Sequence, residues 1–196
     1  MTTKNAKEWW KNQKTYPFDF TRNRRIHELN YLVPKLQKIE GYRLLDLGCG
    51  DGALLECLSH LTNFKGFFGY DIAENLLKKI KPSIATFVYD ISEPKELPEM
   101  DVVIIAGVLQ YLFEEDHVKN LLSKINAPVI FVRSTCTLKK EDEIITNDGY
   151  TSKYRTIKNT LSLFSDFEVC SIDRVYPDEI ESPFGTKQFY FELRKK

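Results

Sequence analysis

An apolar run that enters glycines at alternate positions can bring its backbone against a ligand, and Leu44 to Gly52 reads LLDLGCGDG. Gly48, Gly50 and Gly52 have no Cβ, which permits a positive φ and a close approach as the chain turns from strand into helix. Nineteen residues after Gly52, at the end of the next apolar run FFGYD, stands Asp71. A carboxylate there can accept both hydroxyls of a ribose, so the spacing suits an adenosine cofactor. The same string satisfies the G-x-G-x-x-[GA] pattern of dinucleotide enzymes. Asp46 argues the other way: two residues before the first glycine, its charge would oppose a pyrophosphate and could hold the positive end of a zwitterionic amino-acid cofactor. Cys49 sits inside the turn with no histidine near it in sequence, so it reads as a small residue filling a tight bend and not as a nucleophile.

These residues need a frame that brings strand ends together. From Tyr42 onward, short β-branched and aromatic runs alternate with segments of helical period, the signature of βα units. Strands are expected over 43–47, 66–71, 85–90, 101–106, 129–133, 168–176 and 187–193. Helices are expected over 52–61, 73–79, 116–125 and 151–164. Pro94 and Pro98 leave room for at most a turn of helix between 90 and 101. The last two strands are joined by 177–186, too short for a crossover helix, which implies an antiparallel hairpin at the sheet edge. The fold class is therefore α/β, a doubly wound, seven-stranded, mainly parallel sheet with an antiparallel C-terminal hairpin. Before it, 23–38 carries Ile26, Leu29, Leu32, Val33 and Leu36 at helical spacing, a cap that Pro34 could kink or split. Trp9, Trp10, Tyr16, Phe18 and Phe20 precede it, as anchors for an arm or as a lid over a pocket. Residues 1–41 are read as arm and capping helix and 42–196 as the cofactor-binding unit, one globular body overall.

With DxGxGxG and a strand-end acid in place, the chain from about Tyr42 onward resembles the class I S-adenosylmethionine-dependent methyltransferases. The resemblance implies that Asp46, Gly48, Cys49 and Gly50 lie under the methionine part of the cofactor and Asp71 holds its ribose. It also places Asp90, in FVYDISE, near the adenine amino group, with Ile72 and Ile91 as walls of the adenine slot. AGVLQYL resembles the segment that passes beneath the cofactor, which makes Gly107, Leu109 and Gln110 its neighbours. The arm, EWW followed by NRRIHELNYL, resembles the approach to the fold in quinone-biosynthesis O-methyltransferases, where an arginine meets the cofactor carboxylate. Arg25, or its neighbour Arg24, would take that role. S-adenosylmethionine is the implied cofactor and S-adenosylhomocysteine its product.

A methyl group on a sulfonium is already electrophilic, so the protein has chiefly to align a nucleophile and exclude water. An alcohol acceptor would gain from a base, for which His27 is the histidine least expected to face solvent. Acceptor contacts are expected after the fourth and fifth strands, where Tyr111, Arg133, Tyr150, Tyr154 and Arg155 offer hydroxyls, stacking surfaces and charge for a phosphate or carboxylate. The 134–150 stretch reads as a mobile lid. The [DNS]PP[FYW] segment of amino-methylases does not occur after the fourth strand. A small acceptor such as a sugar, a sugar nucleotide or another metabolite is therefore expected, with oxygen ahead of nitrogen. Rival readings are a catalytically silent partner protein with this fold, a nicotinamide oxidoreductase and a protein methyltransferase.

Composition sets outer bounds. Lys+Arg and Asp+Glu both number 28 in the 196 residues, so no net field draws the chain to a polyanion, and no nucleic-acid partner is expected. The polar N-terminus and the lack of any apolar run of membrane-spanning length suggest a cytoplasmic protein without membrane contact. Four scattered cysteines without a CxxC pair suggest reduced thiols and no metal site. Oligomeric state has no signature here.

Overall fold

The computed structural model describes residues 5–17, 22–146, 149–181 and 185–196. Phe18 and Phe20, noted above, lie outside the described residues, as do 182–184 of the linker between the last two expected strands. The elements run α1 (Ala6–Lys11), α2 (Arg22–Leu36), β1 (Arg43–Leu47), α3 (Ala53–Leu61), β2 (Gly66–Asp71), α4 (Glu74–Leu77), β3 (Ala85–Val88), β4 (Val102–Ala106), α5 (Glu115–Ser123), β5 (Val129–Thr137), β6 (Glu143–Thr146), β7 (Thr151–Tyr154), α6 (Ile157–Ser162), β8 (Phe167–Arg174) and β9 (Thr186–Lys195).

Seven strands form one sheet in the order β3-β2-β1-β4-β5-β9-β8, and β6 and β7 form a separate pair. The first five are parallel, and β9 lies antiparallel between β5 and β8. This is the expected doubly wound α/β sheet with its terminal hairpin. The chain leaves β1 towards β2 on one side and returns to β4 on the other, so a crevice opens at their carboxyl ends.

Alternation along the central strands sorts their side chains to two layers. Leu45, Leu47, Val103, Ile105, Ile130 and Val132 pack with Val118, Leu121 and Leu122 of α5. Leu44, Val102, Ile104 and Phe131 pack with Leu32 and Leu36 of α2 and Leu55 and Leu58 of α3. Both faces of the central strands are covered, which explains their unbroken apolar runs. Pro34 does not split α2. It falls in the last turn, where the helix is ending in any case.

The segment after β5 departs from expectation. In place of a loop over 134–150 and a helix over 151–164, β5 runs on to Thr137, β6 pairs with β7, and α6 begins only at Ile157. The physical cause is local. The Thr156 side chain caps α6 by accepting from the Asn159 amide at 3.1 Å, and Asp142 accepts from the Thr156 amide at 2.9 Å. A good cap at 156 fixes the helix start and leaves 151–154 free to pair as a strand. An unanticipated short helix, α1, opens the described chain, with the Asn5 side chain accepting from the Lys7 amide at 3.0 Å.

Candidate active site

β1 delivers Asp46 and the glycine turn to the crevice. The Gly48 and Cys49 amides both donate to the Tyr70 carbonyl at the end of β2, at 2.6 and 3.2 Å. The Gly50 amide donates to Asp71 at 2.8 Å, and the other Asp71 oxygen accepts from the Ala73 amide at 2.8 Å. Asp71 thus organises the turn it was expected to assist, and with four lone-pair sites it keeps capacity for ribose hydroxyls. Burial pushes its carboxyl up, opposed by the amides of Ala73 and Gly50. Gly50 has φ +57°, and a Cβ there would lie 2.7 Å from the Tyr16 ring.

The crevice is a cavity of about 450 Å³. Gly48, Gly50 and Asp71 form its floor, and Ile72, Tyr89, Asp90 and Ile91 line one end. Gly107, Gln110, Tyr111, Arg133 and Tyr150 line the other. Asp90 accepts from the Ser92 amide and hydroxyl, at 2.8 and 2.7 Å, and pairs with Lys7 of α1 at 2.6 Å. Burial would raise its carboxyl, but the hydrogen bonds from Lys7 and Ser92 outweigh that and hold it below its ordinary value.

A second, smaller pocket adjoins the first. It is lined by Asp46, Arg25, Glu28, Cys49 and Arg133 among others. Asp46 is 2% exposed, and its Oδ1 has no hydrogen-bond partner. Burial first, then the charges of Glu28 and Asp71, push its carboxyl up to about 7, against the pull of Arg133 and Arg25. A buried acceptor without a donor costs free energy unless a ligand supplies one. Glu28 and Arg133 form a buried ion pair at 2.9 Å, and Arg133 also donates to Gln188 of β9. Burial pushes the Cys49 thiol far up, which suits a filler of the turn and not a nucleophile.

The arm completes the walls. Ala6, Lys7, Trp10 and Tyr16 line the main cavity. Lys7 also reaches Glu93 at 2.9 Å, Lys79 donates to the Lys14 carbonyl at 2.5 Å, and the Trp9 ring sits 4.5 Å from Tyr150. The arm is therefore fastened at both ends of the crevice.

Several expected positions do not face the cavity. Leu109 is 1% exposed and belongs to the core, because the 3-10 turn Leu109–Tyr111 points it inward. Arg155 is buried and donates to the carbonyls of Leu109, Leu112 and Phe113, at 3.3, 2.6 and 3.0 Å. It ties down the turn that presents Tyr111 in place of meeting an acceptor. Tyr154 pairs with Glu143 across the β6–β7 hairpin and is outside the cavity lining. His27, on α2, is likewise not among the lining residues, and His60 and His117 are exposed. Tyr89, Thr135, Gln188 and Lys7 do line it without having been anticipated. Only Tyr89 had a signal, as the apolar neighbour of Asp90.

The profile of a methyltransferase-domain family matches residues 45–128, from β1 to the end of the loop before β5. A malonyl-[acyl-carrier protein] O-methyltransferase of Bacillus cereus is 25% identical over 185 residues, covering 85% of this chain and 69% of that protein. Among solved structures, a SAM-dependent methyltransferase of Leishmania major superposes with a TM-score of 0.76 at 17% identity, covering 95% of this chain and 81% of that one. The 1,6-didemethyltoxoflavin-N1-methyltransferase of Burkholderia thailandensis, solved with its acceptor and S-adenosylhomocysteine, superposes with a TM-score of 0.65 at 13% identity, covering 89% and 77%. The family match falls on the strands and turns that build the cavity floor, and the sheet around them has the fold of the class I S-adenosylmethionine-dependent methyltransferases.

Proposed function

We propose that this chain methylates an oxygen of a small-molecule acceptor, with the cofactor lying along the floor of the main cavity and its amino-acid end in the smaller pocket. The observation that carries the reading is Asp46 Oδ1, buried and unpartnered beside the glycine turn, where an ammonium would satisfy it. Arg25 lines that pocket with Asp46, which supports a pairing with the cofactor carboxylate. Asp71 takes the ribose, and Ile72, Tyr89 and Ile91 flank the adenine.

S-adenosylmethionine supplies, when bound, an electrophilic methyl group on a sulfonium. The protein's part is to bind, orient and exclude water. The arm does the excluding: Trp10 and Tyr16 close the side of the crevice that the sheet leaves open. In the transfer a C–O bond forms as the C–S bond breaks, and the electron pair of the broken bond stays on sulfur. An acceptor oxygen that arrives ionised ends neutral, and no proton moves. The Bacillus cereus relative, named for O-methylation, favours oxygen over nitrogen. A cavity of about 450 Å³ is within the range of small-ligand sites and has little room beyond a cofactor and a compact acceptor.

Calorimetry with S-adenosylmethionine, S-adenosylhomocysteine and NAD(H) tests the reading. Micromolar binding of the first two alone is expected. Heat from NAD(H) in place of either would replace the reading with the oxidoreductase one.

A further inference from the structure

The acceptor end of the cavity has two properties that the cofactor does not use. The first is its wall of rings. Trp10, Tyr111 and Tyr150 all line the cavity, and each comes from a different segment. Their centroids are 5.8 Å (Trp10 to Tyr111), 5.6 Å (Tyr111 to Tyr150) and 6.5 Å (Trp10 to Tyr150) apart. The planes of the first two pairs meet at 65° and 78°, so the rings pack edge to face as one cluster that turns both edges and faces to the cavity. Gly149 keeps that wall in place: any Cβ there would collide with the Trp9 indole that backs Tyr150.

The second property is charge. Arg24 and Arg133 both line the cavity, and Glu28 neutralises Arg133. Arg24 has no carboxylate within ion-pair distance among the described residues. Its Nε and Nη2 share the Ile180 carbonyl, at 3.3 and 2.9 Å, and its guanidinium lies 5.9 Å from the Tyr176 ring. The adjacent arginines separate onto two cavities, Arg25 with Asp46 in the smaller one and Arg24 in the lining of the main one. A half-buried guanidinium without a carboxylate partner among the described residues, lining the same cavity as the three rings, favours a flat ligand that brings its own negative charge.

We infer that the acceptor is a planar aromatic acid, its ring held against the wall of Trp10, Tyr111 and Tyr150 and its anionic group turned to Arg24. The inference rests on the cofactor reading above and narrows it. It departs from the sugar acceptors expected from sequence, which bring neither a flat ring nor, unless phosphorylated, a charge.

The only two tryptophans of the chain are Trp9 and Trp10, so intrinsic tryptophan emission reports on this wall. The full chain, first shown by calorimetry to bind S-adenosylhomocysteine and then saturated with it, is titrated with salicylate, 4-hydroxybenzoate and 3,4-dihydroxybenzoate. Benzyl alcohol (flat but neutral), malonate (charged but not flat) and glucose serve as comparisons. At least one aromatic acid should change the emission saturably, with an affinity about tenfold or more above that of every comparison compound. Arg24→Gln should weaken that acid about tenfold or more and leave S-adenosylhomocysteine affinity unchanged. Tyr150→Ala should weaken the acid as well. Saturable binding of glucose or benzyl alcohol at equal strength, or no saturable change with any of the acids, overturns the inference while the cofactor reading stands. Arg24→Gln losing S-adenosylhomocysteine in place of the acid assigns Arg24 to the cofactor and also overturns it. No binding of S-adenosylhomocysteine to the unmodified chain overturns the cofactor reading and the inference together.

Discussion

At the scale of single residues, Asp46 is the group whose chemistry is most exposed to test. Its carboxyl stands at about 7 in the folded chain against an ordinary 3.8, so between those values the folded state binds a proton that the unfolded chain has released. Stability of the free protein should therefore fall as pH rises from about 4 to about 7 and level off above. Ligand binding runs the opposite way, because an ammonium beside Asp46 selects the ionised form. Affinity for S-adenosylhomocysteine should rise with pH towards about 7, by up to about tenfold per pH unit, and flatten beyond it. Calorimetry across that range checks both the slope and the proton released on binding. Asp46→Asn should bind weakly and without that slope; a slope that persists in the variant would assign the titration to another group. Gly50 gives a steric counterpart. At φ +57° and with the Tyr16 ring 2.7 Å from its would-be Cβ, Gly50→Val should cost roughly 1–3 kcal/mol in strain and abolish cofactor binding. Thermal melts and S-adenosylhomocysteine titration of that variant read the two effects separately.

At the scale of elements, the arm and the hairpin are where local sequence and final structure part company. The parallel strands, the glycine turn and the terminal hairpin were legible because each rests on a local rule: apolar runs bounded by breakers, glycine where φ is positive, a linker too short to cross over. The β6–β7 hairpin was not legible. TSKY carries no strand signature of its own, and what places it is pairing with Glu143–Thr146 and a cap one step further on. Arg155 was misread for a related reason. A basic residue after a strand reads as a ligand contact until the chain is seen to bury it on three carbonyls of a turn 42 or more residues away in sequence. Gln188, Thr135 and Lys7 reach the cavity from elements far apart in sequence, and no local pattern announces such a meeting. The arm makes a testable element. Lys7 joins α1 to Asp90 and Glu93 across the mouth of the site, at 2.6 and 2.9 Å. In Lys7→Ala the arm should open more often and S-adenosylhomocysteine should dissociate faster, by less than about fivefold, since partly exposed ion pairs contribute little. Stopped-flow tryptophan emission measures that rate. High salt should quicken release from the unmodified chain and leave the variant nearly unaffected.

At the scale of the whole molecule, the site is a seam that several distant parts must close together. The floor comes from β1 and β2, one end from the segments after β2 and β3, the other from the segment after β4, β5, β7's leading turn and β9, and the roof from α1. A ligand seated there touches elements spread from residue 6 to residue 188, and few of them would meet it in an unfolded chain. Cofactor binding should thus appear as global stabilisation. With free ligand at about 100 times its dissociation constant, linkage gives about 2.7 kcal/mol. For a domain of this size each kcal/mol raises the melting midpoint by about 2–4 °C, so S-adenosylhomocysteine at that excess should shift it by roughly 5–11 °C. NAD(H) at equal concentration should leave the midpoint where it is. The shift should grow with the logarithm of ligand concentration, and Asp46→Asn should need correspondingly more ligand to reach the same value. A midpoint that does not move, although calorimetry registers binding, would mean that the ligand holds to one local segment, and the closed seam described here would not be the binding site.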